Sequence, residues 1–163
     1  MAVIPIRLLN DSILRQKAKR VKTIDNSIQK LIDDMLETNR AASGAGLAAP
    51  QVGVSLRLAI IQLSEDEEYI LINPQIMRRT GTRTVTEGCL SIPGYVGDIQ
   101  RSEKVSVRAT DRNGKEYRVR SDGLLAEALE HEIDHLNGVL YIDYLDSLDE
   151  LRKVELPQPT ELL

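Results

Sequence analysis

Residues 123–136 read GLLAEALEHEIDHL. Their signals predict a strong helix, because Ser121 or Asp122 is placed to cap its amino end. Asn137-Gly138 follows the last apolar residue and supplies a stop signal.

The same helix carries the motif His131-Glu132-Ile133-Asp134-His135. Two histidines four residues apart on a helix point the same way and can hold one metal ion. Glu132 stands beside the first histidine, close enough to take a proton from a water on the metal. Taken alone, the same spacing also fits a solvated helix face.

A two-histidine site needs a third protein ligand if water is to fill the fourth position. The chain has only two histidines, so a third histidine is excluded and Glu150, Glu155 or Cys89 could serve. A lone cysteine is commonly a small buried hydrophobe. However, Gly88 and a β-rich segment precede Cys89, a pattern typical of a strand end that backbone must approach closely. A Cys-His-His set would leave one open position.

Residues 43–51, SGAGLAAPQ, form a stretch of small residues interrupted by glycines and are expected to be a loop. One interpretation is a tight connection whose glycines serve only the turn. The other is that Gly44 and Gly46 allow backbone groups to approach an extended peptide. Gln51 would then offer its amide N–H to a developing oxyanion.

The rest of the chain predicts an α+β fold. Apolar residues at helical spacing indicate an amphipathic amino-terminal helix over residues 25–42. Asn113-Gly114 predicts a hairpin. Strands are expected at residues 57–63, 69–73, 83–87, 104–110 and 116–120. Helices and mostly antiparallel strands in this order indicate β-sheets packed around the central motif-bearing helix in one domain, 1–163, with a short acidic tail at 146–163.

Composition limits the function classes. A chain of 163 residues suits one domain. Its net charge of −4 predicts no direct nucleic-acid binding. Its single cysteine excludes an internal disulfide. No signal peptide or membrane-length apolar stretch is apparent, so a cytoplasmic protein that does not enter a membrane is expected.

Three motifs together resemble the signature motifs of the peptide deformylase family, in the family's order and at similar separations, and the resemblance extends over nearly the whole chain. They are residues 44–51 (GAGLAAPQ), residues 87–91 (EGCLS) and residues 131–135 (HEIDH). The resemblance implies an enzyme that removes the formyl group from the amino-terminal formylmethionine of nascent polypeptides and releases formate.

The resemblance also implies a role for each matching position. Cys89, His131 and His135 would bind the metal, with ferrous iron as the usual ion and zinc, nickel or cobalt as substitutes. A hydroxide on the metal would attack the formyl carbon, with Glu132 as general base and then general acid. The Gln51 amide and the Leu90 N–H would stabilise the oxyanion.

The substrate peptide would lie against backbone at Ala45, Gly46 and Gly88. Helical spacing from His131 places Leu124, Glu127 and Ala128 on the metal-facing side, as candidates for the side-chain pocket together with Leu90 and Ala45. Glu127 departs from the apolar residue that the resemblance leads one to expect.

Other acidic residues extend these expectations. Glu130 stands where glutamine is familiar. Asp134 and Glu87 are expected to orient ligands or to tie strands to the helix. Because the tail is acidic and contains Pro157 and Pro159, contact with the ribosome through a basic tail is not expected. Formylmethionyl nascent chains remain the expected partner.

Overall fold

This computed structural model describes residues 1–155 of the chain. They contain eight β-strands and two α-helices. The helices are α1 (Asn26–Ala41) and α2 (Gly123–Leu136). The strands are β1 (Gly46–Ala48), β2 (Leu58–Ser64), β3 (Glu67–Thr80), β4 (Arg83–Cys89), β5 (Ile92–Arg101), β6 (Lys104–Thr110), β7 (Glu116–Asp122) and β8 (Arg152–Lys153).

The strands form two antiparallel sheets. The larger has the order β1-β2-β3-β6-β7, and the smaller has the order β4-β5-β8. Irregular register interrupts the pairing of β3 with β6 and of β4 with β5. Such irregularities bend strands, and the second of them lies beside Cys89, where it shapes the candidate site.

Helix α2 occupies the centre of the fold. Apolar residues of α2, among them Ala126, Leu129 and Ile133, pack against the inward-facing side chains of β6 and β7 in one core cluster. A second cluster joins α1 to β1, β2 and β3. Because α2 is buried on several sides, the polar residues of its motif also lie inside the protein and need partners there.

The α+β class is confirmed, and α2 covers the predicted residues. Helix α1 begins after Asp25, whose side chain accepts a hydrogen bond from the Ile28 N–H, as a capping residue should. Asp122 occupies the corresponding position before α2 but makes no capping hydrogen bond with its side chain. Strand β7 runs directly into the helix there, and Gly123, at φ 55°, accommodates the change of direction.

Two further expectations need correction. The stretch expected to be a loop forms strand β1 and a short 3-10 helix, Ala49–Val52, because β1 pairs with the strongly apolar β2. Strand β5 was not predicted, since glycine and proline interrupt its sequence. In the tail, Leu148–Glu150 form only a 3-10 turn; Pro157 and Pro159 lie outside the described residues.

Candidate metal centre

Cys89, His131 and His135 meet at one point in the interior. Their ligand atoms all lie within 4.8 Å of one another. The Nε2 atoms of the two histidines are 3.2 Å apart, and the Cys89 Sγ lies 3.3 Å from the His135 Nε2. Burial and the neighbouring His131 hold the pKa of His135 well below its usual value. One thiolate and two imidazoles form a donor set suited to zinc, iron, nickel or cobalt.

Local structure explains how the cysteine reaches the helix. Cys89 ends β4 and pairs with Ile92 across a tight turn of two residues. The register shifts between Glu87 and Cys89, so Gly88 occupies an irregularity that redirects the strand. By contrast, Glu150 lies outside the ligand group, on an exposed turn where its carboxylate accepts backbone N–H groups.

The Gln51 side chain is fixed in one orientation beside the cysteine. Its Oε1 accepts a hydrogen bond from the Ala48 N–H at 2.9 Å, which identifies the other terminal atom as the nitrogen. That Nε2 donates to the Ser91 Oγ at 3.0 Å and lies 3.7 Å from the Cys89 Sγ. One of its two N–H groups is therefore used by Ser91. The other is directed at the ligand cluster, where its only contact is the long one with the Cys89 sulfur.

Glu132 is buried next to the ligands. Its Oε1 has no hydrogen-bond partner among residues 1–155. Burial raises the pKa of Glu132 to about 7, although the nearby His131 acts to lower it. Gly46 faces the same carboxylate, and a Cβ at that position would lie 2.8 Å from the Glu132 Oε2. An unpartnered buried carboxylate beside three converging donors fits a site built for a metal and its water.

A buried ion network supports His131 on the side away from the ligand cluster. Glu87 contacts the His131 Nδ1 and accepts two hydrogen bonds from Arg101, at 2.9 and 2.7 Å. Arg101 also donates to Asp134 at 2.7 Å. Burial alone would raise the pKa of Glu87, but its contacts with His131 and Arg101 hold it below the usual value. Because Nδ1 of His131 faces Glu87, its Nε2 is left for the ligand cluster.

Asp134 contacts neither histidine. It accepts hydrogen bonds from Arg101 and from the Tyr144 hydroxyl, and so ties β5 to α2. Arg101 is the residue that the sequence analysis missed. The signal that could have found it is the need for a cation near Glu87 and Asp134, two acidic residues expected to orient ligands or to tie strands to the helix.

Glu130 points away from the ligands and accepts three hydrogen bonds. They come from the Ser102 N–H at 2.7 Å, the Ser102 hydroxyl at 3.1 Å and the Arg79 Nε at 3.1 Å. The carboxylate therefore links α2 to the segment between β5 and β6, and Arg79 balances its charge.

A cleft of about 550 Å³ opens onto the cluster. All six of the predicted substrate-contact residues line it: Ala45, Gly46, Gly88, Leu124, Glu127 and Ala128. Glu127 is half-buried, and burial, followed by the charge of Glu87, raises its pKa. Tyr95 and Val96 of β5 form a further part of the wall, which the sequence analysis missed together with the strand.

A larger depression, about 720 Å³, lies elsewhere, between β7 and the end of β2, and contains none of the ligand residues.

Two helical histidines, a cysteine from a neighbouring strand and an adjacent buried glutamate define the class of metal-dependent hydrolases. A model of the polypeptide deformylase family matches residues 3–151. The peptide deformylase of Dehalococcoides mccartyi is 52% identical over 97% of this chain and 98% of its own length. The chain belongs to the polypeptide deformylase family.

Solved structures agree with this assignment. The peptide deformylase of Legionella pneumophila superposes with a TM-score of 0.89 at 48% identity, over 91% of this chain and 89% of that one. The Synechococcus elongatus enzyme, solved in complex with actinonin, gives 0.86 at 47% identity, over 90% and 81%. Like its family, the protein is a metal-dependent hydrolase that removes the N-formyl group from nascent polypeptides. No helix within residues 1–155 is long and apolar enough to span a membrane.

Proposed function

We propose that Cys89, His131 and His135 are the protein ligands of the catalytic metal. The convergence of their three ligand atoms within 4.8 Å is the observation that carries this assignment. We further propose ferrous iron as the physiological ion, with zinc, nickel or cobalt as functional substitutes, because all four accept nitrogen and sulfur ligands. Three protein ligands leave the fourth position for a water molecule.

Bound there, the metal would lower the pKa of a water ligand towards about 7 and so supply a nucleophile near neutral pH. Glu132 would take the proton from the attacking water and later pass it to the leaving amine. Its raised pKa, about 7, suits both steps, because a group that gains and loses a proton works best near the ambient pH. The contact of Glu87 with His131 holds the imidazole in the orientation that binding requires.

Gln51 and Leu90 stabilise the oxyanion that forms at the formyl carbon. The fixed Nε2 of Gln51 lies beside Cys89 with one N–H directed at the cluster. Leu90 follows Cys89 directly in the chain, so its backbone N–H is carried by the same turn. Donors that are already in place favour the charge of the transition state without reorganising.

The substrate peptide lies along the cleft. Backbone groups of Ala45, Gly46 and Gly88 hold it in an extended conformation, as added strands are held at sheet edges. Leu124, Glu127 and Ala128 of α2, with Leu90 and Ala45, form the wall of the side-chain pocket. The methionine side chain packs against the apolar part of this wall, and the Glu127 carboxylate lies at its half-exposed rim.

The remaining assignments concern the whole chain. Residues 1–163 act as one deformylase domain in the cytoplasm, on formylmethionyl nascent chains. A match of the family over residues 3–151 supports this. Contact with the ribosome is not made through a basic carboxyl-terminal tail.

The test is deformylation of a short formyl-methionyl peptide by protein purified anaerobically with ferrous iron, with metal content measured on the same samples. Glu132→Gln should keep its metal and lose activity, because only the proton carrier has gone. Cys89→Ala should lose both metal and activity, and circular dichroism checks that it folds. Full metal content and activity in Cys89→Ala would refute the ligand assignment.

A further inference from the structure

The outward face of strands β3, β6 and β7 carries a concentration of basic side chains. The inward face of the same strands supplies Val105, Val107 and Val119 to the core. Alternation along the strands therefore directs the intervening residues to solvent. The strand register arranges them in three rows: Thr80, Lys104 and Asp122; Arg78, Ser106 and Arg120; Gln75, Arg108 and Arg118.

Five cations thus occupy this face, which we call the basic face: Arg78, Lys104, Arg108, Arg118 and Arg120. Only Arg108 has a side-chain partner among the described residues; it donates to Gln75 at 2.7 Å and lies 3.4 Å from Glu116. A shallow depression of about 450 Å³ runs between Arg78, Lys104 and Arg120. Four cations are therefore free to meet an anion from outside.

This arrangement does not serve the stability of the sheet. Arg108 and Arg118 stand directly opposite each other across β6 and β7, and like charges in that position destabilise a strand pair. Charge is also unevenly distributed over the molecule. The basic face holds five of the 21 basic residues. The acidic residues that the structure places at its margin are Glu116, Asp122 and Glu67, the last of which lines a depression together with Lys104 and Arg120.

The chemistry of the basic face selects the kind of partner. Its outward positions carry no aromatic side chain on which the bases of a single strand could stack. Among the described residues of these three strands, Met77 is the one large apolar side chain that is exposed, which is too little to enter a membrane interface. A charged and hydroxyl-bearing surface instead fits the phosphate backbone of a double helix, which proteins contact with lysine, arginine, serine and threonine.

We propose that the basic face binds the phosphate backbone of double-helical RNA. The choice of RNA rests on the enzyme's action on nascent polypeptides, which are made on an RNA-rich assembly; the phosphate chemistry itself goes beyond the catalytic function. The net charge of the whole chain predicted no nucleic-acid binding. The distribution of the charges favours such binding, because a partner contacts the local charge of one face and not the net charge of the whole protein.

The number of cations sets the expected salt dependence. Each phosphate that a lysine or arginine neutralises releases counterions, so the logarithm of the binding constant falls with the logarithm of salt concentration by about 0.9 per contact. Four free cations therefore predict a slope of roughly −4. Affinity should be modest at physiological salt, because the face is small and the whole protein is acidic.

The test measures fluorescence anisotropy of a labelled RNA duplex of about 16 base pairs with the full-length enzyme, over about 50 to 200 mM salt. Arg78→Gln/Arg120→Gln removes two cations of one row. Lys17→Gln/Lys153→Gln is the matched control, because these lysines are exposed and lie outside the basic face. Deformylation of a short formyl peptide is measured on all three proteins.

The wild type and the control should bind with a slope near −4, and the arginine variant should show about −2 and at least tenfold weaker binding at low salt. All three should deformylate the peptide equally. Absence of salt-dependent RNA binding by the wild type, or unchanged binding by the arginine variant, overturns the proposal. Binding of anionic phospholipid vesicles in place of RNA would also overturn the proposal. Normal deformylation beside failed RNA binding removes this proposal and leaves the catalytic assignment standing.

Discussion

Replacement of Gly46 by alanine should disable the proposed base without disturbing the metal ligands. The added Cβ would lie 2.8 Å from the Glu132 Oε2, 3.1 Å from its Cδ and 3.0 Å from the Ile60 carbonyl oxygen. The carbonyl belongs to β2, which pairs on both sides and cannot yield. Glu132 must therefore move by about 0.5 Å or more, and displacements of about 1 Å cost roughly 100-fold in rate. We expect kcat to fall by about 10- to 100-fold.

The assay is steady-state deformylation with metal content measured in parallel. Gly97→Ala is the matched control, because a Cβ in that strand would meet only the flexible ends of Leu145 and Leu151; its kcat should stay near the wild-type value. Gly46→Ala should add little to the loss already caused by Glu132→Gln, since both act through one carboxylate. A wild-type kcat in Gly46→Ala, or full additivity in the double variant, would refute the reasoning.

Three further substitutions test ionic interactions outside the ligand cluster. Arg101→Met should destabilise the protein by about 3–5 kcal/mol in urea unfolding, because it removes the guanidinium that both buried carboxylates share; Arg152→Met, which breaks an exposed ion pair, should change little. Glu130→Gln should lower stability by about 1 kcal/mol with kcat unchanged, since one of its charged acceptor oxygens is lost. Arg118→Thr should raise stability by a few tenths of a kcal/mol by relieving its repulsion with Arg108, and a lower melting temperature would contradict this.

Much of this architecture could be predicted because its signals are local. A candidate capping residue and a stop signal sufficed for α2, and the Asn-Gly turn sufficed for the hairpin of β6 and β7. The two histidines were expected to share a face because helical geometry requires it. Bringing Cys89 to them was a different step, since the cysteine lies 42 positions before His131 in the chain, and that expectation came from family resemblance.

The rest depended on contacts between distant segments. Strand β1 is only three residues long and exists because β2 offers it an edge, which no local pattern reveals. Arg101 lies in a strand interrupted by glycine and proline, and its importance follows only from the two carboxylates that it meets inside the protein. The basic face likewise appears only when the register aligns residues from three strands.

The buried acidic residues show how one of several similar carboxylates acquires a different pKa. Glu87, Glu130, Glu132 and Asp134 are all buried in or against the central helix. Arg101 binds Glu87 and Asp134, and Arg79 binds Glu130. Glu132 alone among them has no ion pair within the described residues, and burial raises its pKa to about 7, whereas that of Glu87 is lowered. When environments push the pKa values of neighbouring acids apart, proton transfer falls to the group left near neutrality. In the proposed mechanism the ion network would contribute twice, because Glu87 orients His131 and because Arg79 and Arg101 engage the other three buried acids, which leaves Glu132 as the carboxylate able to exchange a proton.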